Sequence, residues 1–105
     1  MVDARTIGRA VGILRRASRP RRIVLFGSYA RGRPTGESDL DFLVVKRRVR
    51  NTMAEMVRLR RLLSPLRIPA DVLVVSERRY TEWSDTPGNV LHSAATEGKV
   101  LYEAP

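Results

Sequence analysis

The chain has 105 residues, 20 basic side chains against 11 acidic ones, a formal charge of +9 and no cysteine. That length fits a single domain, residues 1–105, with a modest core. Lack of cysteine excludes disulfides and cysteine-ligated zinc and fits a reducing cytoplasm. A hydrophobic content of 43% excludes a disordered chain. The apolar runs Ile23–Phe26, Phe42–Val45 and Val72–Val75 are too short for a membrane span, and Met1–Arg5 carry no signal-peptide core. A soluble cytoplasmic protein is the expectation.

The charge is uneven. Residues 1–79 hold 19 basic and 7 acidic side chains, whereas residues 80–105 hold one lysine and four acids. A basic body attracts nucleic acid, nucleotides or an acidic protein. Equally, the arginines are spread over helix faces as a solvated surface would have them. Few aromatic residues interleave with them, which disfavours a stacking platform for single strands.

In chain order, residues 4–18 read as an amphipathic helix. Asp3 caps it, Ile7, Val11 and Leu14 form its apolar stripe, and Pro20 bars its continuation. Residues 22–26 are a buried strand. Gly27-Ser28 follows, with Ser28 placed to cap a short helix, Tyr29-Ala30-Arg31; Gly32, Pro34 and Gly36 then mark a tight polar loop. A second strand covers 39–46. Thr52 and Glu55 have capping-box spacing and open a helix over 53–63, stopped by Pro65. A third strand covers 71–75 and a short helix 77–83. Thr86-Pro87 opens a last helix that Gly98 ends, and 99–102 form a brief edge strand.

The first and second strands, joined by a short polar connection, predict an antiparallel pair. The second and third, joined through a helix, predict a parallel pair. The class is α+β: a small mixed sheet of strands at about 22–26, 39–46, 71–75 and 99–102, with helices packed on one face. This topology has a chemical consequence. Asp39 and Asp41 share one strand face, with Leu40 turned away between them. Parallel pairing brings Asp71, which leads the third strand, beside them. Three carboxylates next to a glycine-serine turn suit divalent cations carrying phosphate. Asp39 and Asp41 would hold two ions, and Asp71 would ligate one of them or take a proton from an attacking hydroxyl. Gly27 and Ser28 would hold phosphate through N–H groups and a hydroxyl. Arg31 or Arg33 could neutralise phosphate charge, although Arg31 can equally pair with a site acid or with Glu37. His92 reads as a packing or surface histidine.

Gly27-Ser28, ten residues, then Asp39-Leu40-Asp41, with Asp71 on a later strand, resembles the signature of the polymerase β-type nucleotidyltransferase superfamily. Gly-Ser-Tyr-Ala-Arg-Gly, Ser-Asp-Leu-Asp-Phe-Leu-Val-Val and the C-terminal Ala-Thr-Glu-Gly-Lys-Val-Leu-Tyr-Glu resemble its smallest branch, the minimal nucleotidyltransferase (MNT) domains; the likeness covers about residues 4–102. The resemblance implies a nucleotidyltransferase fold and a Mg2+-dependent transferase using ATP, with two ions at Asp39, Asp41 and Asp71. It further implies an antitoxin that transfers AMP to a tyrosine of a HEPN ribonuclease toxin in a hetero-oligomer. The chain itself lacks the ribonuclease's Arg-x4-6-His pattern, since no arginine stands at that distance ahead of its one histidine, His92. Two other readings remain open: a non-catalytic antitoxin or nucleic-acid-binding module that acts by contact, and a nucleotidyltransferase for RNA or a small molecule that relies on a partner subunit.

Overall fold

A computed structural model describes residues 2–34 and 38–105. Helix α1 spans Ala4–Ser18 and begins where the Asp3 carboxylate accepts the Thr6 amide at 2.8 Å. It buries Ala10 and Leu14 and ends at Arg19, which takes a left-handed conformation with φ 48°. Strand β1, Arg22–Phe26, and strand β2, Leu40–Lys46, follow. Helix α2 covers Thr52–Leu63 and runs into a 3-10 turn, Ser64–Leu66. Strand β3, Ala70–Ser76, passes directly into helix α3, Glu77–Trp83; helix α4, Val90–Glu97, and strand β4, Lys99–Glu103, complete the chain.

The four strands make one mixed sheet in the order β3-β2-β1-β4. Strand β1 is antiparallel to β2 and to β4, while β2 and β3 are parallel, as the connections predict. Phe26 stands opposite Asp41, and Asp41 stands abreast of Asp71.

Side chains alternate across this sheet. One face presents Ile23, Leu25, Leu40, Phe42, Val44, Val72 and Val74 to Ala10, Leu14, Leu59 and Leu63 of α1 and α2. The other presents Val24, Leu43, Val45 and Val75, and it is covered by Ala94 and Leu91 of α4 and Tyr80 of α3. The expectation of helices on one face therefore holds only for the two long ones. The strands are apolar at consecutive positions, so each face has to be covered. Full burial of a side chain such as Phe42 or Leu43 is worth about 2 kcal/mol.

Three local expectations are corrected. Asn51, not Thr52, caps α2: its side chain accepts the Ala54 amide at 3.0 Å, and Glu55 is drawn instead to Lys46 at 2.6 Å and Arg58 at 2.7 Å. Thr86-Pro87 lies outside α4, because Gly88 adopts φ 92° and the cap passes to Asn89. Tyr29-Ala30-Arg31 forms turns rather than a helix. Gly98 does end α4, but in extended backbone. A Cβ there would run into Ala94 O and the Val24 side chain of β1, so the tight turn between the helix end and β1 is what requires glycine.

Candidate active site

The site lies at the end of the sheet where β1 finishes and β2 and β3 begin. Strand alternation sends Asp41 and Asp71 to the face that carries Leu43, Val45 and Val75. Helix α4 packs on β1, and α3 on β2 and β3, where Val45, Val75 and Tyr80 meet at the opposite end of the sheet. Asp39 precedes β2 by one residue and is exposed. Leu40 between the two acids is fully buried on the opposite face and donates its amide to Pro69 O at 2.8 Å. The start of β2 is thereby tied to the approach of β3, and the three acids are held at one sheet end.

Gly27 closes β1 with φ 76°. A Cβ on it would collide with Asp41 Oδ2, so the turn is pressed directly against the carboxylate. The next residues are tightly wound: Arg31 N–H donates to Gly27 O at 3.1 Å and Arg33 N–H to Ser28 O at 2.9 Å. The glycine-serine turn and Asp41 thus meet in space across a connection of thirteen residues, 28–40. The part of that connection with Gly36 and Glu37, the second partner considered for Arg31, lies outside the described residues.

Electrostatics mark the same place. The Asp41 carboxyl is pushed above its usual range, first by burial, then by the negative charges of Asp71 and Asp39, with Arg31 opposing. Arg31 is ion-paired with Glu97 of α4 at 3.5 Å, both about half exposed. Asp71 Oδ1 accepts the Val72 amide at 3.0 Å and pairs with Arg60 of α2. Neither Glu97 nor Arg60 was singled out from the sequence. Arg60 is one charge among several on α2 and Glu97 the single acid of α4, and only tertiary packing brings them to an acid or an arginine of this site.

Among the described residues, no three His, Asp or Glu side chains converge closely enough to hold one ion. The donor chemistry nevertheless fits a hard divalent cation. Asp39, Asp41 and Asp71 offer carboxylate oxygens alone, and their mutual repulsion is what a cation relieves. His92 is not part of this cluster; its Nδ1 bonds Ser84 O at 2.9 Å and its amide donates to the Asn89 cap. No helix of the described residues is long and apolar enough to cross a membrane.

Comparison with known proteins agrees with this fold. No curated protein sequence matches the chain. Among solved structures, a toxin–antitoxin complex with AMP-PNP is similar at 26% identity and TM-score 0.65, over 92% of this chain and 73% of that one. The complex of tri-AMPylated Shewanella oneidensis HEPN toxin with MNT antitoxin is similar at 25% identity and TM-score 0.60, over 94% and 71%. A Sulfolobus solfataricus putative nucleotidyltransferase, at 18% identity and TM-score 0.62 over 94% and 78%, shares the fold. The model for the family "Polymerase beta, Nucleotidyltransferase" matches residues 10–105, and the chain therefore belongs to the polymerase β-type nucleotidyltransferases.

Proposed function

We propose that this chain is a Mg2+-dependent protein adenylyltransferase acting as an antitoxin: it moves AMP from ATP to a tyrosine hydroxyl of a HEPN-type toxin. The observation that carries the chemistry is the register of Asp41 beside Asp71, with the Gly27 turn pressed on Asp41. The partner is supported by the likeness to the MNT antitoxin bound to a tri-AMPylated HEPN toxin. Residues 1–105 act in this reading as one minimal domain in the cytoplasm.

Asp39 and Asp41 supply the oxygens for the metal, with Asp71 as the third donor or as acceptor of the hydroxyl proton. A bound divalent cation supplies charge neutralisation to the phosphates. Gly27, which lacks a side chain, lets phosphate approach the backbone, and Ser28 adds a hydroxyl donor. Arg31, within electrostatic reach of Asp41, offsets charge on the departing diphosphate. The tyrosine oxygen attacks the α-phosphorus, the new O–P bond replaces the bond to diphosphate, and the phenolic proton passes to a carboxylate or to water.

The test is intact mass of a cognate HEPN protein after incubation with this chain and Mg-ATP. AMP-sized additions that disappear with Asp39→Asn/Asp41→Asn support the reading. Full neutralisation of the toxin by that double variant, with no mass change, would sink catalysis as the mechanism.

A further inference from the structure

Arg60 stands on the solvent side of α2, yet its guanidinium reaches the start of β3 and pairs with Asp71 Oδ1, the oxygen that also accepts the Val72 amide. The third acid is therefore paired from within the chain. Among the described residues no ion pair engages Asp39 or Asp41, although Asp41 stands abreast of Asp71. The site is thus graded: two acids are left for a cation and the third already has one.

We propose that Arg60 is a built-in counter-cation for Asp71, exchanged for a divalent ion when the site loads; this rests on the nucleotidyltransferase reading above. The side chains are 53% and 46% exposed, and pairs of that kind are worth at most about 1 kcal/mol. Such a contact opens readily. The long arginine side chain swings into water from an exposed helix face at small cost. A dication would then gain the Asp71 carboxylate and the removal of a positive neighbour. The pair has a second effect. It keeps three like charges from standing uncompensated at one sheet end, which would otherwise favour capture of stray cations in the absence of nucleotide.

Mn2+ alone is the probe, with free ion counted by electron paramagnetic resonance as protein is titrated. Arg60→Gln is expected to bind Mn2+ about fivefold more tightly than the unaltered chain, the equivalent of one exposed ion pair. Arg60→Lys keeps the charge and is expected to stay within about twofold of the unaltered chain. Asp39→Asn/Asp41→Asn should lose the binding altogether. If Arg60→Gln binds Mn2+ no more tightly, while the double asparagine variant still abolishes binding, the exchange is overturned and the nucleotidyltransferase reading stands. If the unaltered chain binds no Mn2+, even with ATP present, the reading beneath it falls as well.

Discussion

The two ends of the sheet handle charge in opposite ways. Where β1 begins and β2 ends, Arg21, Arg22 and Lys46 each have an acid. Arg22 pairs with Glu103 and lies over the Tyr80 ring at 5.6 Å, Arg21 meets Glu77 at 3.1 Å, and Lys46 meets Glu55 at 2.6 Å. Arg58 adds a two-pronged contact to Glu55 and a bond to Ala17 O at 2.9 Å, which joins α2 to α1. The Glu55 carboxyl is pulled down to about 2, first by its Arg58 hydrogen bonds. At the other end the acids face one another and Asp41 is pushed up. Charge at one end ties the fold together; at the other it is held against its own preference, which is where a ligand has something to relieve.

Exchanging the ends' fates should expose this difference. The largest effect falls on activity: Asp39→Asn/Asp41→Asn is expected to lower AMP transfer about a thousandfold or more, read by mass spectrometry of the acceptor. Next is Glu55→Gln, which leaves Lys46 and Arg58 without their shared anion. It should cost about 2 kcal/mol and lower Tm by roughly 10 °C, while transfer measured well below the new Tm is retained. The pH dependence carries the sign of each end. Glu55 is more acidic folded than its ordinary 4.5, so its contribution is present above that value and is lost as pH falls toward about 2. Asp41 is shifted the other way: its ionisation opposes folding as pH rises past the ordinary 3.8. Asp41→Asn should therefore raise stability at neutral pH by about 0.5 kcal/mol, a gain that vanishes below the ordinary value; urea titrations across pH read both. The last effect, equally small, is a control. Arg19, which precedes the paired end, and Arg67, which precedes the acid end, have φ of 48° and 51°. Arg19→Gly and Arg67→Gly should each raise stability by about 0.5 kcal/mol, equally at both ends, because backbone strain is indifferent to the charges nearby.

Much of this was legible in the residues. Asp3, the stripe through Leu14 and the apolar runs at 23–26, 42–45 and 72–75 are local signals, and local chemistry decides α1 and the central strands. The meeting of Asp41 with Asp71 followed from one topological rule about parallel crossovers. Distance is what hid the rest. Glu55 looked like a cap for Thr52 because helix-start patterns consider only near neighbours, whereas Lys46, nine residues back on a strand, offered a stronger partner. The apolar side of α4 with Leu91 and Ala94 is legible, but which sheet face it covers, together with Tyr80, is decided by packing over distance. Arg60 and Glu97 sit on exposed helix faces, where sequence treats every charge alike.

Gly98 leaves α4 no slack. With no side chain there, the chain turns close under the Ala94 carbonyl and against Val24 of β1, and a Cβ would collide with both. Glu97 is the residue just before that seat, so its distance from the sheet is fixed by steric contact rather than by attraction. Arg31 meets Glu97 at 3.5 Å, so one end of that half-exposed pair rests on the same foundation. The acid that meets Arg31 is in this sense placed by the scaffold, through the absence of one methyl group.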